Sequence, residues 1–113
     1  MITLWHNPRC SKSRQALALI EKAGVDLSLR RYLEDAPTRN EIIAARDALG
    51  LRTIEMMRTG EKAFKEMGLT KDSPEETLID AMAAHPILIE RPIALGQSGA
   101  VIGRPPEAVK ALL

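Results

Sequence analysis

Met1-Ile2-Thr3-Leu4-Trp5-His6-Asn7-Pro8-Arg9-Cys10-Ser11-Lys12-Ser13-Arg14 opens the chain, and its reading decides the rest. Ile2 to His6 is short and rich in strand formers, and Asn7-Pro8 stops it because that dipeptide favours a turn. Beyond Cys10, the apolar positions Ala16, Leu17, Leu19, Ile20 and Ala23 recur at helical spacing as far as Gly24, a natural helix stop. The stretch therefore predicts a buried strand, a turn and a helix from about Ser11, with Cys10 at the helix N-terminus. Val25 to Tyr32 then alternates Val25, Leu27 and Leu29 with Asp26, Ser28 and Arg30, the period of a second strand. Two parallel strands joined by a helix make a right-handed crossover unit.

Working outward, Glu34 to His85 reads as helical. Thr38 with Glu41 is a capping-box signature for a helix ending at about Leu49, before Gly50. Thr53 to Arg58 predicts a short helix, and a turn-rich piece follows around Gly68-Leu69. Ser73-Pro74-Glu75-Glu76 predicts another start, with Ser73 as cap, Pro74 at the first helical position and Glu76 completing the box. That helix turns Leu78, Ile79 and Met82 inward and ends near His85-Pro86. Ile87-Leu88-Ile89, Ile93-Ala94-Leu95 and Ala100-Val101-Ile102 predict short strands, with Pro92 confined to a bend or strand start by its missing donor. Pro105 to Leu113 predicts a last helix. The expected order is β-α-β, a helical insertion over about residues 34–85, then β-β-α. It describes an α/β, thioredoxin-like fold in one domain spanning 1–113.

A chain of 113 residues can bury the core of a single domain. Its 16 basic and 15 acidic residues nearly balance, leaving a net charge of +1 and no global reason to expect nucleic acid or an anionic membrane as partner. No run approaches the ~20 apolar residues that span a bilayer, and Met1 to His6 lacks the basic start and apolar core of a signal peptide. The single cysteine cannot form an internal disulfide, as suits a reducing compartment. A cytoplasmic protein is expected.

Cysteine is a nucleophile only as thiolate, and a free thiol of pKa ~8.5 is a few per cent ionised at pH 7. A helix N-terminus offers unpaired amides and the positive end of the dipole, and Arg9, Lys12 and Arg14 add positive charge nearby. The flanking Arg9, Ser11, Lys12 and Ser13 are polar, unlike the surroundings of an inert core cysteine, so Cys10 reads as reactive. Spacing narrows the chemistry. A phosphatase-type anion loop requires an arginine where Ala16 stands, and a dithiol pair requires a cysteine where Ser13 stands. His6 and Cys10 are too few ligands for a structural zinc, so no metal is expected. A monothiol that turns over by redox chemistry needs an external resolving thiol, for which glutathione or a glutaredoxin is the natural partner.

His6 to Arg14 resembles the His-Asn-Pro-x-Cys-x-x-Ser-Arg signature of the glutaredoxin-coupled arsenate reductases. Tyr32-Leu33-Glu34, Arg58 ahead of Glu66-Met67-Gly68-Leu69, His85 to Ile93, and Gly103-Arg104-Pro105 follow the pattern of that family in order. The resemblance covers essentially the whole chain and is to a short branch of the family. It implies Cys10 as the group that attacks arsenate and Arg58, Arg91 and Arg104 as the arginines that hold the oxyanion. It also implies a cis bond at Pro92, facing the cysteine. The implied reaction runs through a Cys10 thiol-arsenate adduct; glutathione attacks, arsenic is reduced, and glutaredoxin clears the mixed disulfide to release arsenite. No cofactor is held, glutathione being a co-substrate. Guanidinium groups suit this task because they present planar paired donors to a phosphate-like dianion. His6 polarises the thiol, orients a ligand, or serves as a hydrogen-bonding residue at the strand end; Ser13 and Arg14 cap and brace the helix start. The same fold also carries transcriptional regulators that dock on RNA polymerase, and glutathione-dependent thiol transferases. The missing second cysteine speaks against the first of these.

Overall fold

In the computed structural model, which describes residues 1–113, β1 (Ile2–Trp5) bonds on both sides and so lies inside a four-stranded sheet of order β2-β1-β3-β4. β2 (Leu27–Arg30) runs parallel to β1; β3 (Ile93–Gly96) and β4 (Gly99–Ile102) are antiparallel additions on the other side. α1 (Ser11–Ala23) makes the crossover and ends at Gly24, whose φ of 72° is the left-handed conformation that closes a helix at least cost to glycine. This is a thioredoxin-like fold.

The chain divides into two compact units, Met1–Asp35 with Arg91–Leu113, and Ala36–Glu90. In the first, Ile2, Leu4 and Ala94 of the sheet meet Ala16 and Ile20 of α1 and Val109 of the closing segment, all buried, with Leu17, Leu19, Leu27, Val101 and Leu112 around them. Full burial of each larger aliphatic side chain stabilises by roughly 1.5–3 kcal/mol. In the second, α2 (Arg39–Leu49) packs on α4 (Glu75–Ala84), burying Ile42 and Ala45 on one and Leu78, Ile79 and Met82 on the other. Thr38 caps α2 as its sequence indicates: its hydroxyl accepts the Glu41 amide and Glu41 accepts the Thr38 amide. No helix is long and apolar enough to cross a membrane.

Several local expectations are corrected. β2 is shorter than 25–32 because its partner offers only the register Ile2↔Leu27 to Trp5↔Arg30, and at the sheet edge Val25 and Leu29 stay exposed. Ser73 does not cap α4. Its hydroxyl accepts the Thr70 amide and closes the preceding turn, the helix starts at Glu75 behind Pro74, and Glu76 pairs with Arg39 instead of reaching back. Ile87-Leu88-Ile89 is not a strand. Pro86 starts a 3-10 turn in which the Leu88 and Ile89 amides donate to His85 and Pro86, leaving Ile89 a single bridge to Met57. Thr53–Met56 and Pro106–Leu112 are 3-10 helices, the latter burying Pro106 and Val109, three apart as its repeat requires. A further short helix, α3 (Lys62–Glu66), forms in the stretch before Gly68.

Candidate active site

Sheet register brings the candidate residues of the first unit to one end. Trp5 pairs with Ile93, so the turn that follows β1 lies beside the residues that precede β3. Ile93 in turn pairs with Ile102, so Arg91, two before one strand, and Arg104, two after the other, fall side by side. The Arg104 guanidinium donates to the Arg91 carbonyl at 3.3 Å. The Arg91-Pro92 and Arg104-Pro105 bonds are both cis, the first as the resemblance implies and the second not foreseen. The Gly103 amide donates to the Pro92 carbonyl at 2.8 Å, and a side chain at Gly103 would start 2.7 Å from the Pro92 ring, so only glycine lets the two backbones approach.

Cys10 caps α1 in extended conformation. Its amide donates to Asn7, tying the turn, and its carbonyl takes the first helical bond from Arg14. The sulfur is largely buried. That burial is the largest single influence on the thiol and pushes its pKa up. The Ser13 amide, the charge of Arg91, the Lys12 amide and a hydrogen bond from Arg91 together outweigh it, and the thiol lies below its ordinary value. The helix start contributes as its sequence indicates, through amides. The cation is Arg91 from across the sheet, one of the arginines that the resemblance implies, and not a sequence neighbour of Cys10. Lys12 acts through its backbone, and Arg14 turns its guanidinium to the Pro8 carbonyl at 2.9 Å, bracing the turn.

Ser13 is fully buried and does not cap the helix through its side chain. Its hydroxyl accepts the Asn7 amide at 3.1 Å and meets His6 Nδ1 at 2.6 Å. Burial first, then the charges of Arg31 and Arg14, lower the His6 pKa against a small opposing effect of Glu21. The ring is therefore neutral at pH 7, and a neutral Nδ1 that accepts from the Ser13 hydroxyl lets that hydroxyl spend its proton on the ring and a lone pair on Asn7. His6 is thus a hydrogen-bonding residue at the strand end, and Ser13 ties β1, the turn and α1 at one point. A signal for its burial was present: Ser13 stands in phase with Ala16 and Ile20 on the inward stripe of α1.

Arg58 lies in the helical unit, half-buried, its amide donating to the Leu88 carbonyl at 2.7 Å and its guanidinium paired with Glu61. No three His, Cys, Asp or Glu side chains are grouped to hold a metal.

Fold and site together define a thioredoxin-like protein with one activated cysteine at a helix start and arginines at the neighbouring strand ends. Residues 5–112 match the model of the ArsC family, and the chain belongs to that family. It is 42% identical over 116 residues to an arsenate reductase of Neisseria meningitidis, covering 99% of this chain and 97% of the relative. An arsenate reductase of Escherichia coli is 37% identical over 113 residues, covering 99% of this chain and 80% of that protein. The solved arsenate reductase from Vibrio cholerae superposes with a TM-score of 0.95 at 42% identity, over 99% of this chain and 97% of that one.

Proposed function

We propose that this protein is an arsenate reductase using Cys10 as nucleophile and glutathione with a glutaredoxin as reductants. The observation that carries the reading is the Cys10 thiol held below its ordinary pKa by two helix-start amides and Arg91, in a chain whose relatives bear that activity by name. The thiolate attacks arsenic and water leaves, forming a sulfur-arsenic bond. Arg91 and Arg104 present guanidinium groups to the oxyanion and stabilise charge on its oxygens, so covalent and electrostatic catalysis share the work. Arg58, which the family pattern aligns with the third oxyanion arginine, joins them in this role. A glutathione thiol then supplies the second sulfur. Two thiols give up two electrons and become a disulfide while arsenic passes from the +5 to the +3 state and leaves as arsenite. Glutaredoxin returns the protein thiol by exchange. Nothing in the scheme calls for a metal, and the natural setting is the reducing cytoplasm.

Glutaredoxin-dependent arsenate reduction, followed for the wild type, Cys10→Ser and Arg58→Ala, tests the proposal. Turnover in the wild type and none in Cys10→Ser is expected, with Arg58→Ala raising KM for arsenate. Absence of wild-type turnover sinks it. Intact mass after incubation with arsenate and glutathione should show an adduct that Cys10→Ser lacks.

A further inference from the structure

Beside the turn that carries Cys10 lies a cavity of about 240 Å³, lined by His6, Asn7, Pro8, Arg9, Arg31, Leu33 and Glu34. It opens at the C-terminal ends of the parallel strands β1 and β2. We propose that this cavity is the subsite for the resolving thiol, recognising an anionic thiol peptide with two carboxylates and one ammonium, of which glutathione is the probe. The proposal rests on the reading of Cys10 as a monothiol whose second sulfur comes from outside.

The charges on the wall match such a ligand. Arg9 and Arg31 are exposed cations and Glu34 an exposed carboxylate; Arg9 gives its amide to the Asn7 side chain, and none of the three charged side chains enters an ion pair or a hydrogen bond. Neighbouring charges are spent otherwise: Arg30 pairs with Asp35, and Arg14 holds the Pro8 carbonyl. Two guanidinium groups facing one carboxylate mirror two carboxylates and one ammonium, while Pro8 and Leu33 offer apolar contact to the peptide stem. Reach is adequate. Asn7 accepts the Cys10 amide at 3.0 Å, so cavity wall and nucleophile belong to one tight turn, with ends under about 7 Å apart. An extended tripeptide spans roughly 10 Å. Arg31 lines the same cavity as Asn7 and Arg9, so a thiol peptide held there lies beside the turn that carries Cys10.

The test measures selectivity between thiols of different charge. KM for glutathione and for 2-mercaptoethanol, which has no charges, is compared in the wild type, Arg31→Ala, Arg9→Ala and Arg31→Glu. Each alanine variant should lower the preference for glutathione about two- to fivefold, and Arg31→Glu should lower it further. Equal changes for both thiols, or none, overturn the subsite. A second measurement keeps this outcome separate from failure of the arsenate reading. Oxidised glutathione modifies Cys10 without arsenate: the thiolate attacks one sulfur, the disulfide breaks, and one glutathione thiolate leaves. The rate is followed by intact mass against that of the uncharged bis(2-hydroxyethyl) disulfide. Preference for oxidised glutathione that Arg31→Glu abolishes, without arsenate turnover, upholds the subsite and discards the reductase. Arsenate turnover with no charge selectivity does the reverse.

Discussion

Replacing Ser13 by alanine removes one oxygen from the interior, and the structure says what that oxygen holds. Its two partners are His6 Nδ1 at 2.6 Å and the Asn7 amide at 3.1 Å. His6 is 4% exposed and the alanine methyl offers nothing in return, so a buried ring nitrogen loses its partner. Leaving a buried polar atom unsatisfied costs about 1–3 kcal/mol. The Asn7 amide, half-buried, recovers part of its loss from solvent. The sum is about 2–4 kcal/mol, and for a domain of this length each kcal/mol moves the melting temperature by about 4 °C. A fall of about 8–16 °C is expected by calorimetry. Ser13 also places its own amide against Cys10, the strongest of the pKa-lowering contacts on the thiol, and freeing the side chain loosens that amide. The midpoint of iodoacetamide alkylation against pH should therefore move up, toward the ordinary thiol value of about 8.5. A double-mutant cycle with His6→Ala should return a coupling of about 1–2 kcal/mol. A melting temperature within 3 °C of wild type, with an unmoved alkylation midpoint, would refute the idea that Ser13 ties strand, turn and helix together.

Arg91→Ala removes both a charge and a hydrogen bond from Cys10 and should raise the alkylation midpoint, with Arg91→Lys intermediate because it keeps the charge alone; equal midpoints for all three proteins would remove Arg91 from the account. Gly103→Ala drives a methyl to 2.7 Å from the rigid Pro92 ring and 3.3 Å from Val109, and should cost about 1–3 kcal/mol in urea denaturation, whereas a loss under 0.5 kcal/mol would show that the approach can relax. His6 has its pKa lowered on folding from 6.5, so below that value the unfolded chain binds the extra proton and stability falls toward the folded value; His6→Gln should flatten this acid limb of a melting-temperature profile, and an unchanged limb would assign it to other groups.

The first βαβ unit was legible from its residues. Asn7-Pro8 can only turn, the apolar spacing from Ala16 to Ala23 has one periodicity, and Gly24 closes it, so the cysteine stands at a helix start on local grounds alone. The capping box at Thr38 is equally local and forms as written. The fold departs from the local signals where those signals compete. The Ser73 hydroxyl takes the Thr70 amide behind it and not one of the helix ahead, and Ile87-Leu88-Ile89 has strand composition but follows a proline whose turn consumes its donors. The sequence by itself thus determined which atom is the nucleophile and that its helix start offers it amides. Only the tertiary structure decided which charge reaches that atom. Arg9, Lys12 and Arg14 are near in sequence, yet Arg14 turns to the Pro8 carbonyl, Arg9 lines the neighbouring cavity and Lys12 acts through its backbone amide. Arg91, eighty-one positions away, arrives because antiparallel pairing of Trp5 with Ile93 and of Ile93 with Ile102 lays strand ends together, and register is set by long-range hydrogen bonds that no local window contains.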